Sequence, residues 1–177
     1  TRAATPPPCA PAPGVTVILR ELATGRDTTF GNVSESVWQN DSASDVFAMT
    51  ISAEGRSGNG VHLFDASSGV LRVLDSAATT YSNLVWRENS ADLVVLRART
   101  DEKRDGPAQS LLAWRGLGTA GERRFEFDPA APNSGGADGM RATPFRRPSW
   151  TEDGRSIFVG LAAWNVRPTP PARDGGA

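Results

Sequence analysis

Trp86-Arg87-Glu88-Asn89-Ser90-Ala91-Asp92-Leu93-Val94-Val95-Leu96 reads as the end of one strand, a tight polar turn and a second, strongly apolar strand. The phrase occurs twice more. Upstream, Trp38-Gln39-Asn40-Asp41-Ser42 is followed by Asp45-Val46-Phe47-Ala48-Met49. Downstream, Trp150-Thr151-Glu152-Asp153-Gly154 is followed by Ser156-Ile157-Phe158-Val159-Gly160. The Trp-to-Trp spacings are 48 (38 to 86) and 64 (86 to 150). A supersecondary unit that recurs at such a period cannot bury its apolar face alone and needs a neighbouring copy against it.

Working outward from the middle copy, four strands separate one Trp phrase from the next. Residues 46–51, 61–65 and 70–74 read as strands joined by the glycine-rich turn 54–60 and the turn Ala66-Ser67-Ser68-Gly69, and residues 81–86 lead into the second Trp. The alternations Val61/Leu63 and Leu71/Val73 are those of half-buried strands. The second unit repeats the pattern. Residues 93–99, 110–114 and 123–127 are strands, a charged loop spans 100–107, and a turn spans 116–121. An insertion rich in Pro, Gly and Ala at 128–143 accounts for the longer second spacing. Before the first Trp, residues 15–20 form a strand, 23–27 a turn in which Gly25 takes positive φ, 28–30 a short return strand and 31–36 a loop. After the third Trp, residues 157–164 form one strand. No window of twelve or more residues carries a capped 3.6-residue period.

The chain is therefore expected to be all-β. Residues 1–14 are a Pro-rich tail or linker, 15–164 the repeats, and 165–177 a second Pro/Gly-rich tail. Four-stranded antiparallel units recurring in this way are the signature of a β-propeller. The count gives two full blades (37–74 and 85–127) and two half-blades (15–30 and 149–164), which would pair to close a ring. A ring of about three blades is smaller than the four to eight that propellers use, so a partial propeller is expected.

Composition narrows the function classes. The net charge of −1 lacks the basic excess of a nucleic-acid binder. Cys9, the single cysteine, makes no internal disulfide, and no metal-ligand spacing occurs. No apolar run approaches the roughly 18 residues of a membrane span. Thr1 in place of an initiator Met reads as a processed or excised piece.

The Trp turn followed by an apolar strand, a hairpin, a strand ending in Asp and a Gly turn resembles the blade of TolB-like propellers. It also resembles the N-terminal propeller of prolyl oligopeptidase (S9) family serine peptidases, to which the long insertions between strands are more similar than to compact TolB repeats. Trp150-Thr151-Glu152-Asp153-Gly154 is the copy most similar to the family turn, and Leu63-Phe64-Asp65-Ala66-Ser67-Ser68-Gly69 resembles its strand-then-Gly turn. The resemblance covers roughly residues 15–164, and the family's proline is missing from all three turns. It implies a propeller that gates peptide access to a separate hydrolase domain, with that domain or another protein as partner, a peptide as substrate and no cofactor. The alternative it leaves is a propeller that only binds protein partners.

No catalytic residue transfers. The nucleophile elbow Gly-x-Ser-x-Gly is absent, since Gly55-Arg56-Ser57-Gly58 lacks a spacer. Gly116-Leu117-Gly118-Thr119-Ala120-Gly121, with Asp138 further on, matches a dinucleotide fingerprint in letters, yet no helix follows it, so a hairpin turn is expected. His62, the only histidine, lies in a strand and points away from the face of Val61 and Leu63. Asp41, Glu88, Glu152 and Asp153 suit turn hydrogen bonding. Arg20, Arg72, Arg97, Arg99, Arg123 and Arg124 read as outward strand charge. Arg146 and Arg147, ahead of the third Trp, are the candidates for a rim that holds a substrate carboxylate.

Overall fold

The structure, a computed structural model, describes residues 14–40, 44–136 and 138–168. Its described residues form strands and turns, without a helix. β1 (Val15–Arg20), β2 (Asp27–Trp38), β3 (Val46–Ile51), β4 (Gly60–Asp65) and β5 (Val70–Ser76) make one antiparallel sheet in chain order. β6 (Tyr81–Trp86), β7 (Leu93–Arg99), β8 (Ala108–Arg115) and β9 (Arg123–Phe127) make a second meander. β10 (Met140–Ala142) touches the end of β8 through Ala142↔Gln109 and pairs with β13 (Leu161–Ala163). β11 (Ser149–Trp150) and β12 (Ile157–Phe158) pair with each other. The all-β, antiparallel class read from the sequence is the class of the fold.

In all three Trp phrases the Trp pairs with an apolar residue of the return strand, nine positions on in the first copy and seven in the other two. Trp38 lies opposite Phe47, Trp86 opposite Leu93, and Trp150 opposite Ile157. The hairpins stack. One face of the first sheet, with Ala48, Val61 and Leu63, packs on Leu84, Trp86, Leu93, Val95, Leu112 and Trp114 of the second. The opposite face of the second sheet, with Val94, Leu96, Leu111 and Ala113, packs on Trp150, Ile157 and Val159. The middle strands β7 and β8 are consequently covered on both faces, and both read as near-continuous apolar runs. Such runs are the expected pattern for strands with no solvated side.

Among the described residues no second layer lies on the other face of the first sheet, which curls over that face instead. Phe30 of β2 and Phe64 of β4 have ring centroids 5.0 Å apart, although β3 runs between them. Strands two apart in a flat sheet are separated by about 9.6 Å, so the rings meet only across a concave surface. Phe30, Val33, Phe47, Met49, Ile51 and Phe64 fill the hollow, with Val17 and Leu19 of β1 closing it. Register shifts at Val15/Val17, Val33/Glu35 and Val61/His62 supply the bends.

Residues 31–36 are not a loop but part of the twelve-residue β2, whose bulge and left-handed Asn32 (φ 58°) absorb the change of direction. β1 is not a separate half-blade. It pairs with β2 as a fifth strand, and the two expected half-blades do not pair with each other among the described strands. The strand expected over 157–164 is split into β12 and β13, because residues 143–148 form a loop on the paired side while Thr143 N donates to Gly160 O (3.0 Å). The end of the insertion 128–143 contributes β10. Leu71 and Val73 are 49% and 55% exposed, because they share the concave face of the first sheet with Phe64 and His62 but lie beyond the aromatic cluster that fills it, while Val61 is fully buried as its alternation implies.

Trp86 is 5% exposed and donates from its indole Nε1 to Val37 O (3.3 Å) across the two sheets, whereas Trp38 is 41% exposed. Trp86→Phe removes this bond and part of the buried ring. It is expected to cost about 1–3 kcal/mol, and Trp38→Phe less than about 1 kcal/mol. Urea unfolding followed by circular dichroism measures both.

Candidate functional site

One set of polar contacts between layers falls at equivalent places in the repeat, three residues before each Trp and one after the first two. Three before Trp38, the Glu35 carboxylate accepts from the backbone N–H groups of Asn83 (2.9 Å) and Leu84 (2.8 Å) in the next unit. Three before Trp86, Asn83 donates from its amide to Pro144 O (2.9 Å). Three before Trp150, Arg147 reaches back to Leu84 O (3.1 Å). One after Trp38, Gln39 donates to Ser90 O (3.0 Å), and one after Trp86, Arg87 donates to Glu152 O (3.2 Å). Each bond satisfies a backbone group at a bulge or turn that no strand partner reaches. Glu35, Asn83 and Gln39 were not singled out in the sequence. The visible signal was a polar residue at the same offset in all three copies.

The second polar feature is a charge cluster where β5 meets the second sheet. Asp75 accepts from the Tyr81 hydroxyl (2.7 Å), Arg124 (2.8 Å) and Arg97 (3.3 Å). Glu126 bonds both Arg97 and Arg124. Arg72 of β5 makes a two-pronged pair with Glu122 beyond the β8–β9 turn, one prong at 2.7 Å. Burial, reinforced by Asp75, holds the Tyr81 phenol above its ordinary range. Arg72 holds the Glu122 carboxyl below the usual carboxylate range and is itself raised. Of the arginines expected as outward strand charge, Arg72, Arg97 and Arg124 therefore clasp sheet to sheet. Arg99 pairs with Asp128 (3.0 Å), Arg20 pairs with Asp27 within the first sheet (2.8 Å), and Arg123 is exposed.

The remaining sequence candidates stay apart. His62 shares a face with Phe64, opposite Val61 and Leu63, and burial lowers its pKa. Residues 116–121 form the turn between β8 and β9, with Gly116 and Gly118 at positive φ, as expected of a hairpin rather than a nucleotide loop. Asp153 accepts from the Thr151 hydroxyl (2.6 Å) and the Arg155 N–H (3.0 Å) inside its own turn, which lowers its pKa. Glu88 and Glu152 are exposed at separate turns, and Asp41 lies outside the described residues. Arg146 and Arg147 are exposed side by side before β11. Among the described residues no group of three or more His, Cys, Asp or Glu is placed to hold a metal ion. No helix is long and apolar enough to cross a membrane.

Among the concavities that border these elements, two flank the second sheet. One, of about 370 Å³, lies between residues 129–136 and Trp164, whose ring has the guanidiniums of Arg99 and Arg104 at 5.3 and 5.5 Å. The other, of about 360 Å³, is apolar and lies between β9 and the third Trp hairpin. Searches of family models, of curated proteins and of solved structures found no match to this chain.

The clasp and the −3 position make distinct predictions. Glu35→Ala leaves two backbone donors without an acceptor and is expected to cost about 2–3 kcal/mol in urea unfolding, with Glu35→Gln intermediate. Glu122 has a depressed pKa in the folded state, so the Arg72 clasp contributes above the unfolded carboxylate pKa of about 4.3 and is lost as pH falls through the lower folded value. Both partners are partly exposed, so the effect stays within about 1 kcal/mol. Glu122→Gln should flatten that acid limb of stability against pH while leaving the rest of the profile unchanged.

Proposed function

We propose that this chain is the non-catalytic propeller region of a prolyl oligopeptidase-like serine peptidase, gating peptide access to a hydrolase domain absent from these 177 residues. The observation that carries this reading is the face-to-face stacking of successive antiparallel meanders, joined at equivalent positions of each Trp hairpin. A unit that passes its apolar face and its backbone donors to the next copy is a building block of an extended array or a closed ring. The Trp-turn resemblance selects the ring, and with it a gating role. The polar chemistry supports a structural part for this region. The pairs Arg124–Asp75 and Arg72–Glu122 join sheet to sheet, and the Asp153 carboxylate is bonded within its own turn. Arg146 and Arg147 are the proposed rim cations for a peptide carboxylate, both exposed, with Arg147 also donating to Leu84 O (3.1 Å).

A second reading, a TolB-like propeller that binds protein partners, is favoured by the exposed aromatic side chains of Phe125, Phe127 and Phe158. The parent reading frame separates the two, since only the peptidase reading places a Gly-x-Ser-x-Gly elbow and later Asp and His downstream.

The purified chain is expected to leave a chromogenic peptidyl-proline substrate uncleaved. In the full-length parent, deletion of residues 15–164 is expected to raise cleavage of a large unfolded protein while the small substrate is turned over as before. Clear hydrolysis by the chain alone, or unchanged size selectivity after deletion, overturns the gating role.

A further inference from the structure

We propose that the outer edge of the third Trp hairpin, with the apolar groove beside it, is an acceptor site for a β-hairpin supplied from outside these 177 residues. The inference rests on the repeat geometry and goes beyond the gating role, so it stands or falls separately from it.

The repeat register defines what is missing. Phe47, Leu93 and Ile157 occupy the same position, each opposite its Trp. On the far side, Phe47 has Phe64 of β4 and Leu93 has Trp114 of β8. Ile157 has no such partner, because β12 pairs only with β11 and β13 only with β10 among the described strands. Backbone direction agrees. Ser156 O accepts from Thr151 N, Gly160 O accepts from Thr143 N, and Trp164 N donates to Gly139 O, so the even-numbered residues face the paired side. Antiparallel alternation then turns the backbone groups of Ile157, Val159, Leu161 and Ala163 toward the open side. The open edge ends where the bridge Arg104↔Val166 begins.

The face that an added strand would cover is also open. In the second unit, the strand after the Trp hairpin is β8, and its Leu112 and Trp114 pack on the first sheet. The matching place in the third unit is the groove of about 360 Å³ lined by Leu111, Ala113, Phe125, Phe127, Trp150 and Ile157. Phe125 and Phe127 lie opposite Ala113 and Leu111, on the face already buried by the third hairpin, yet remain 49% and 37% exposed. The groove thus continues an existing interface. Trp150, which lines it, has its buried Nε1 without an acceptor, unlike Trp86.

The occupant follows from this shape. It runs antiparallel to residues 157–163, carries large apolar side chains at alternate positions as β8 does, and turns back into a fourth strand over Phe125 and Phe127. Residues 1–13 and 169–177 contain no Val, Ile, Leu, Met, Phe, Tyr or Trp and are rich in Pro, so neither supplies it. The open backbone groups give such a segment its affinity, and the groove gives it side-chain register.

The probe is a fluorescein-labelled peptide with the sequence of residues 108–127, the β8–β9 hairpin itself, titrated with the intact chain and read by fluorescence anisotropy. Saturable binding is expected. It should be weakened roughly tenfold or more by Phe125→Lys, which charges an exposed position of the groove, and by Val159→Pro, which removes one open-edge donor. Unchanged far-UV circular dichroism of Phe125→Lys shows that the fold persists even if Val159→Pro fails to fold. Absence of binding up to about 1 mM, equal binding of a scrambled peptide, or no loss in Phe125→Lys overturns the site. A stable dimer of the chain alone that Phe125→Lys dissociates also overturns it, since a second copy would then be the occupant.

Discussion

The indole of Trp86 lies between two sheets, with its ring against the apolar face of the second and its Nε1 bonded to the carbonyl of Val37 in the first. That contact depends on the register in which Trp86 stands opposite Leu93. A slip of one residue would turn the ring to the other face, remove the indole from the seam and expose the apolar set that includes Leu84, Val95 and Leu112. The remaining inter-sheet contacts require the same register. Glu35 meets the N–H groups of Asn83 and Leu84 only when the strand ahead of Trp86 is seated this way, and Asp75 meets Tyr81, Arg97 and Arg124 under the same condition.

The three layers are therefore held by two kinds of force at different depths. Apolar side chains occupy the middle of each interface, where β7 and β8 are covered on both faces. Polar bonds lie at the two margins, with the −3 and +1 staples at one and the Arg72, Asp75 and Glu126 clasp at the other. Burial supplies most of the free energy and has little directional preference. The marginal bonds are directional, and those that engage backbone N–H groups would leave orphaned donors if the sheets shifted. Asn59 applies the same principle within the first sheet. It is fully buried, accepts from Ala53 N–H (2.7 Å) and donates to Thr79 O (2.7 Å), tying the glycine-rich turn to the chain that crosses to the second sheet.

Much of this was legible from residue order. The Trp hairpins, the four strands between them and the all-β class follow from alternation and turn residues, which act over a few positions. The reading of residues 31–36 as a loop failed because Gly31 and Asn32 carry turn chemistry, while partners on both sides hold the segment as strand. Leu71 and Val73 were read as half-buried because alternation marks which residues share a face and says nothing about whether another layer covers it. The candidate site was less legible. Glu35, Asn83 and Asp75 are ordinary polar letters in strands, and their partners lie between 6 and 61 residues away along the chain.

Residue order alone fixes the hairpin repeat and the absence of a nucleophile elbow, because these depend on short-range pattern and on which residue types are present. The register of the hairpins, the curl of the first sheet over its own Phe30 and Phe64, the place of β1 in this sheet rather than in the third unit, and the edge of residues 157–163 that has no strand partner among the described residues are set by the tertiary structure. Those outcomes depend on bulge positions and on which faces find a covering layer. Both are set by distant parts of the chain competing for the same apolar surface and the same backbone partners.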